Sequence, residues 1–122
     1  MKTDKFRVII AGSRDFQDYD MLCKICDHLF QYTKPTAIIC GCARGADKLG
    51  ERYAMERDIP VRYYPAHWSL YGKRAGYLRN ETMAKNADAL VAFWDGKSKG
   101  TKHMIELADK YKLRKRVIMT GE

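Results

Sequence analysis

No run of this 122-residue sequence approaches the ~20 consecutive apolar residues that a membrane-spanning helix needs. The opening Met1-Lys2-Thr3-Asp4-Lys5 carries no apolar signal-peptide core behind it, so a cytoplasmic chain with no membrane partner is expected. Three histidines show no His-x-x-x-His pairing, and Cys23-x-x-Cys26 has no second pair at finger-like spacing. No metal and no cofactor are therefore called for, and the four cysteines read as reduced, mostly buried thiols. No Ser-His-Asp or Cys-His arrangement can be read from spacing. Repeats, low-complexity tracts and linkers are absent, which argues for a single domain over residues 1–122. Acidic side chains are the scarce charge, 15 against 23 basic, and the resulting +8 points to anionic partners, nucleotide or nucleic acid.

What is present is alternation. Phe6-Arg7-Val8-Ile9-Ile10-Ala11 is a β-branched run ending at Gly12-Ser13-Arg14-Asp15. Leu22, Ile25, Cys26 and Leu29 then fall at helical spacing within residues 17–32. A second apolar run covers residues 36–40, and Ala46, Leu49, Gly50, Tyr53 and Ala54 mark the face of the helix after it. Residues 61–64 make a third strand, stopped by Pro65. From residue 65 to 76 the periodicity lapses into an aromatic, basic loop of the kind that is usually functional. A helix over 75–86, the wholly apolar strand 89–94, a helix over 101–112 and a strand over 116–119 complete the chain. The basic run 110–116 reads as a solvated helix end. Such alternation argues for an α/β fold, a mainly parallel five-stranded sheet with about four helices on its two faces.

Three glycine-rich loops (12–15, 41–47 and 95–101) close strands at their carboxyl ends, where open α/β sheets bind ligands. The middle loop, Cys40-Gly41-Cys42-Ala43-Arg44-Gly45-Ala46-Asp47, opens a helix and so offers free backbone N–H groups beside a guanidinium, chemistry suited to phosphate. Asp47 is expected to cap that helix or to accept hydrogen bonds from a sugar hydroxyl.

These residues also resemble a known family. Gly12-Ser13-Arg14, Gly41-x-Ala43-Arg44-Gly45-Ala46-Asp47, Trp68, Ala75-Gly76-x-x-Arg79-Asn80 and Asp95-Gly96-x-Ser98-x-Gly100-Thr101 are similar to motifs of the SLOG superfamily. That superfamily holds the LOG-type phosphoribohydrolases and the Smf/DprA DNA-processing proteins, and the match, over roughly residues 6–118, looks nearest to its small YspA-like branch. The resemblance implies a Rossmann-like, doubly wound sheet ordered 3-2-1-4-5 and a nucleotide-type ligand held by the quoted motifs. Cys42 stands where a second glycine is usual, and Asp95-Gly96 replaces Pro-Gly-Gly. The LOG-type pattern Gly-Thr-x-x-Glu is also broken. Gly100-Thr101-Lys102-His103 is followed by Met104, whose thioether is neither acid, base nor cation stabiliser, and Glu106 lies roughly 200° further round the helix.

The leading expectation is a binding domain for a nucleotide or nucleotide-derived small molecule. Phosphate would sit on the 12–15 and 41–47 loops with Arg14 and Arg44 balancing charge. Asp47 or Asp95 would hold ribose, Trp68 or Tyr71 would cover the base, and Arg79 would contact an anion. One alternative is a hydrolase cutting an N-glycosidic or phosphate bond, with Asp15, Asp47, Asp95, Glu81 or His103 as acid or base. The other is a single-stranded nucleic-acid binder. A homo-oligomer is compatible with all three.

Overall fold

The computed structural model describes residues 5–41 and 45–120. Five strands, β1 (Arg7–Gly12), β2 (Ala37–Cys40), β3 (Val61–Tyr63), β4 (Ala89–Trp94) and β5 (Arg114–Met119), form one sheet in the order β3-β2-β1-β4-β5. Every neighbouring pair is parallel, with Val8 opposite Ile38 on one side and Ala89 on the other. The Rossmann-like α/β architecture and strand order expected from the sequence are thus what the chain adopts.

Strand periodicity sorts the core into two layers. Val8, Ile10, Ile38, Val91 and Phe93 pack with Leu22, Cys26, Tyr53 and Ala54 from α1 (Tyr19–Leu29) and α2 (Ala46–Glu56). The alternating residues Ile9, Ala11, Ile39, Leu90 and Ala92 face the other way. They meet Met83, Met104, Leu107 and Ala108 from helices at Ala75–Lys85 and Lys99–Lys110. Each large aliphatic side chain so buried contributes about 1.5–3 kcal/mol, so β1 and β4, buried on both faces, anchor the molecule. Helix α1 begins where Asp18 accepts the Met21 backbone N–H at 3.0 Å.

Two segments depart from the sequence reading. Residues 65–76 are not an open loop: they contain a helical turn, α3 (Trp68–Tyr71), and a 3-10 turn at Gly72–Arg74, leading into α4 (Ala75–Lys85). Backbone N–H groups of Leu70 and Tyr71 both donate to His67 at 3.0 Å. Trp68, Leu70 and Tyr71 stay exposed, so the turn buries no face and leaves no apolar period to read. The basic run 110–116 is not a helix end either. Helix α5 (Lys99–Lys110) stops, Lys112 takes φ 59°, and Arg114, Lys115 and Arg116 belong to β5. Their exposed charges lie on an edge strand, where they discourage pairing with other chains.

Candidate functional site

The strand order reverses between β1 and β4, and the loops following β1, β2 and β4 leave from the same edge of the sheet. Ser13 joins them. Its backbone N–H donates to the Phe93 carbonyl at 3.0 Å, and its carbonyl accepts the Phe16 N–H at 3.1 Å and the Ala46 N–H at 3.4 Å. Its hydroxyl accepts the Asp95 N–H at 3.1 Å. Gly45, at φ 73°, lies so close that a β-carbon there would stand 2.3 Å from the Ser13 carbonyl oxygen. A β-carbon on Gly12 would stand 2.3 Å from the Phe93 carbonyl oxygen. The glycines are therefore demanded by how closely the three loops approach one another.

Asp95 organises the last loop. Its Oδ1 accepts the backbone N–H groups of Lys97 and Ser98, both at 2.8 Å, and those donors hold its carboxyl below the ordinary carboxylate range. Ser98 caps α5, accepting from the Thr101 N–H at 3.4 Å and sharing a hydrogen bond with its hydroxyl at 3.0 Å. Trp94 donates its indole N–H to the Ser98 carbonyl at 3.0 Å.

From α4, Arg79 reaches across the edge. One of its guanidinium N–H groups donates to the Gly41 carbonyl at the end of β2, and Nε donates to Asn80 Oδ1 at 2.9 Å. The Asn80 amide in turn lies 3.4 Å from the Gly100 carbonyl and 3.3 Å from His103 Nδ1. Burial lowers the pKa of His103, and the Tyr77 ring packs edge-on against it at 4.7 Å. A β-carbon on Gly41 would meet Arg79 and the Asp47 carboxylate, both at 2.9 Å, so the guanidinium and that carboxylate flank one glycine.

Two connected clefts result. The inner one, about 300 Å³, lies at the switch point and is lined by Gly12, Arg14, Asp47, Lys99, Thr101 and Met104, among others. The middle one, about 480 Å³, runs outward between Trp68, Lys73 and Tyr77 over Gly41. Arg14, Arg79, Asn80 and Gly100 line both. Together they take in Gly12, Arg14, Gly41, Asp47, Trp68, Arg79, Asn80, Ser98, Gly100 and Thr101 of the residues singled out from the sequence. Ser13, Gly45, Ala46, Asp95 and Gly96 do not line them; they build the loops that do. Arg44, with Cys42 and Ala43, lies outside the described residues. Asp47 is not the helix cap: Gly45 holds that position, and Asp47 sits buried in the first turn. The sequence reading missed Lys99 and Tyr77. Tyr77 was discoverable from its place between Gly76 and Arg79, on the helix turn that carries both. Among the described residues no cluster of three or more His, Cys, Asp or Glu could hold a metal ion, and no helix is long and apolar enough to cross a membrane.

Met104, almost wholly buried, lines the inner cleft, whereas Glu106 is exposed and does not line it. Met104, which stands where the resemblance to LOG-type sequences implies a glutamate, therefore brings a thioether to the cleft wall.

A doubly wound parallel sheet with a loop-built cleft at its switch point is a Rossmann-like architecture. The family model of YAcAr, the YspA, cpYpsA-related SLOG family, matches residues 6–71, and the chain belongs to that family. The Gene 61 protein of Mycobacterium phage D29 is 35% identical over 111 residues, covering 85% of this chain and 89% of that protein. The X-ray structure of DNA processing protein A (DprA) from Streptococcus pneumoniae superposes with a TM-score of 0.76 at 13% identity. That alignment covers 96% of this chain and 51% of DprA, so the chain spans about half of DprA's length and shares its fold.

Proposed function

We propose that this chain binds a nucleotide or nucleotide-derived small molecule through the glycine-rich loops at the carboxyl ends of β1, β2 and β4. The observation that carries the reading is the position of Arg79. Its guanidinium is held by Gly41 and Asn80 at the junction of a polar inner cleft and an aromatic middle cleft. Phosphate belongs in the inner cleft, where Arg14, Arg79 and Lys99 supply positive charge and Ser98 and Thr101 supply hydroxyls. The base belongs in the middle cleft, against Trp68 and Tyr77, which each leave about half their surface free for stacking. Asp47 faces the same space and suits a ribose hydroxyl. Arg44, beside Gly45 in the sequence, adds charge on the same loop.

Replacing Arg79 by alanine removes a charge-assisted contact and is expected to weaken AMP binding by more than about 1.5 kcal/mol, over tenfold. Titration calorimetry measures this, and an unchanged affinity in Arg79→Ala overturns the assignment. A second reading, single-stranded nucleic acid, draws on the +8 charge and on the fold shared with a protein named for DNA processing. Its support is weaker because the +8 charge is spread along the chain and the structural likeness, at 13% identity, shows the fold alone.

A further inference from the structure

Arg79 borders a third cleft, about 600 Å³, opening on the other side of Pro65 between the end of β3 and α4. Tyr64, Tyr71 and His67 supply aromatic walls, and Arg74 and Lys85 stand at its margin. Glu81, the carboxylate among its lining residues, is engaged elsewhere. It accepts the Tyr111 hydroxyl at 2.6 Å and lies 3.5 Å from the Lys110 ammonium, interactions that hold its pKa below the ordinary value. Aromatic walls with Arg74 and Lys85 at the margin, and with the Glu81 carboxylate turned to Tyr111 and Lys110, are chemistry for a planar ring carried on an anionic backbone.

This outer cleft adjoins the middle one. Arg79 and Pro65 line both it and the middle cleft. The single turn α3 serves both as well: Trp68 lines the middle cleft, and Tyr71, three residues on, lines the outer one. Trp68 and Tyr71 are 55% and 50% exposed, so each leaves about half its surface free at the cleft it lines. The guanidinium at the junction is fixed by two hydrogen bonds, as a group gripping a bridging anion should be.

We propose that the ligand is a two-base molecule, its bases in the middle and outer clefts and its phosphate bridge held at Arg79, which lines those two clefts and the inner phosphate cleft alike. This deepens the nucleotide reading and rests on it. The bridge is either a pyrophosphate or a 3′–5′ phosphodiester, and both present the same anionic oxygens to Arg79.

The test is calorimetric titration at one ionic strength with AMP, the pyrophosphate-bridged dinucleotide NAD and the phosphodiester-linked dinucleotide ApA. At least one bridged probe is expected to bind about tenfold tighter than AMP, the gain of one additional stacked base, and the tighter of the two identifies the bridge. Tyr71→Ala and Lys85→Glu change exposed residues that line the outer cleft and not the other two. Both variants are expected to abolish the advantage of the bridged probe while leaving the AMP dissociation constant unchanged. Equal affinity for AMP and both dinucleotides overturns the two-base ligand and leaves the nucleotide reading standing. Equal weakening of AMP by the outer-cleft variants also overturns it, because the outer cleft would then hold part of a mononucleotide. Failure of all three probes to bind overturns both.

Discussion

The hydroxyl of Ser13 accepts the backbone N–H of Asp95 at 3.1 Å, across 82 residues of sequence. That bond joins the loop after β1 to the loop after β4, on the two sides of the switch point. Ser13 is buried, so losing the hydroxyl leaves a donor without its partner, at a cost of about 1–3 kcal/mol. Ser13→Ala should lower stability by that amount in chemical denaturation and weaken AMP binding as well. A variant as stable as the parent would show that the two loops hold their places without this bond.

Gly45→Ala should be more damaging than Gly72→Ala, although both glycines have positive φ (73° and 57°). Both backbones, with ψ −127° and −136°, lie in a region that L residues rarely adopt, so an alanine is strained at either site. At Gly45 the new methyl also meets the carbonyl oxygens of Ser13 and Arg14 at 2.3 and 2.6 Å, whereas at Gly72 nothing lies within 4 Å. Denaturation midpoints for the two variants measure the difference. Equal losses would mean that the loops separate freely.

Met104 bears on chemistry. Departure of a base from ribose builds positive charge on the sugar, which a nearby carboxylate stabilises and a thioether does not. Given nucleoside 5′-monophosphates, the purified protein should release no free base above background by chromatography. Turnover that disappears on changing Arg79 or Asp95 would make this protein an enzyme with its acid elsewhere.

Salt separates a small-molecule site from a strand-binding one. Binding that neutralises several phosphates releases counterions and falls steeply with ionic strength. Single-stranded DNA should bind weakly and without cooperativity, and the binding should vanish at physiological salt in fluorescence anisotropy. Sub-micromolar affinity there would reverse the ranking of the two readings.

Acid should loosen the α1–α2 layer first. Arg57, by hydrogen bonds at 2.7 and 2.9 Å, holds Asp27 below its ordinary pKa, assisted by the Tyr53 hydroxyl at 2.7 Å. A carboxyl depressed in the folded state contributes stability that is complete above the ordinary Asp value, about 4, and is lost as pH falls through the folded value. Asp27→Asn should therefore flatten the loss of stability below pH 4. Parallel acid-unfolding curves for variant and parent would assign the pH dependence to other carboxylates, Asp88 beside Arg7 foremost.

Much of this molecule is local in the sequence. Apolar runs at residues 6–11, 36–40 and 89–94 become strands because their side chains can be buried on both faces, a requirement written in composition alone. Glycines at 12 and 41 marked the carboxyl edge of the sheet because β1 and β2 end there, and Gly45 marked the start of the following helix. Strand order came from resemblance, since alternation alone does not say on which side of β1 the fourth strand lies. Only the tertiary structure decided what those loop residues do. Asp95 and Ser13 look alike in the sequence, as polar residues of glycine-rich loops, and the structure gives them different partners. The Ser13 hydroxyl accepts the Asp95 N–H from 82 residues away, whereas Asp95 Oδ1 accepts the N–H groups of Lys97 and Ser98 in its own loop. Arg79 meets Gly41 across 38 residues, and its partner is a carbonyl, a group every residue carries, so no spacing foretold the contact. The helical turn at residues 68–71 escaped for the opposite reason. It is held by its own backbone and buries no face, so its side chains were under no pressure to show a period.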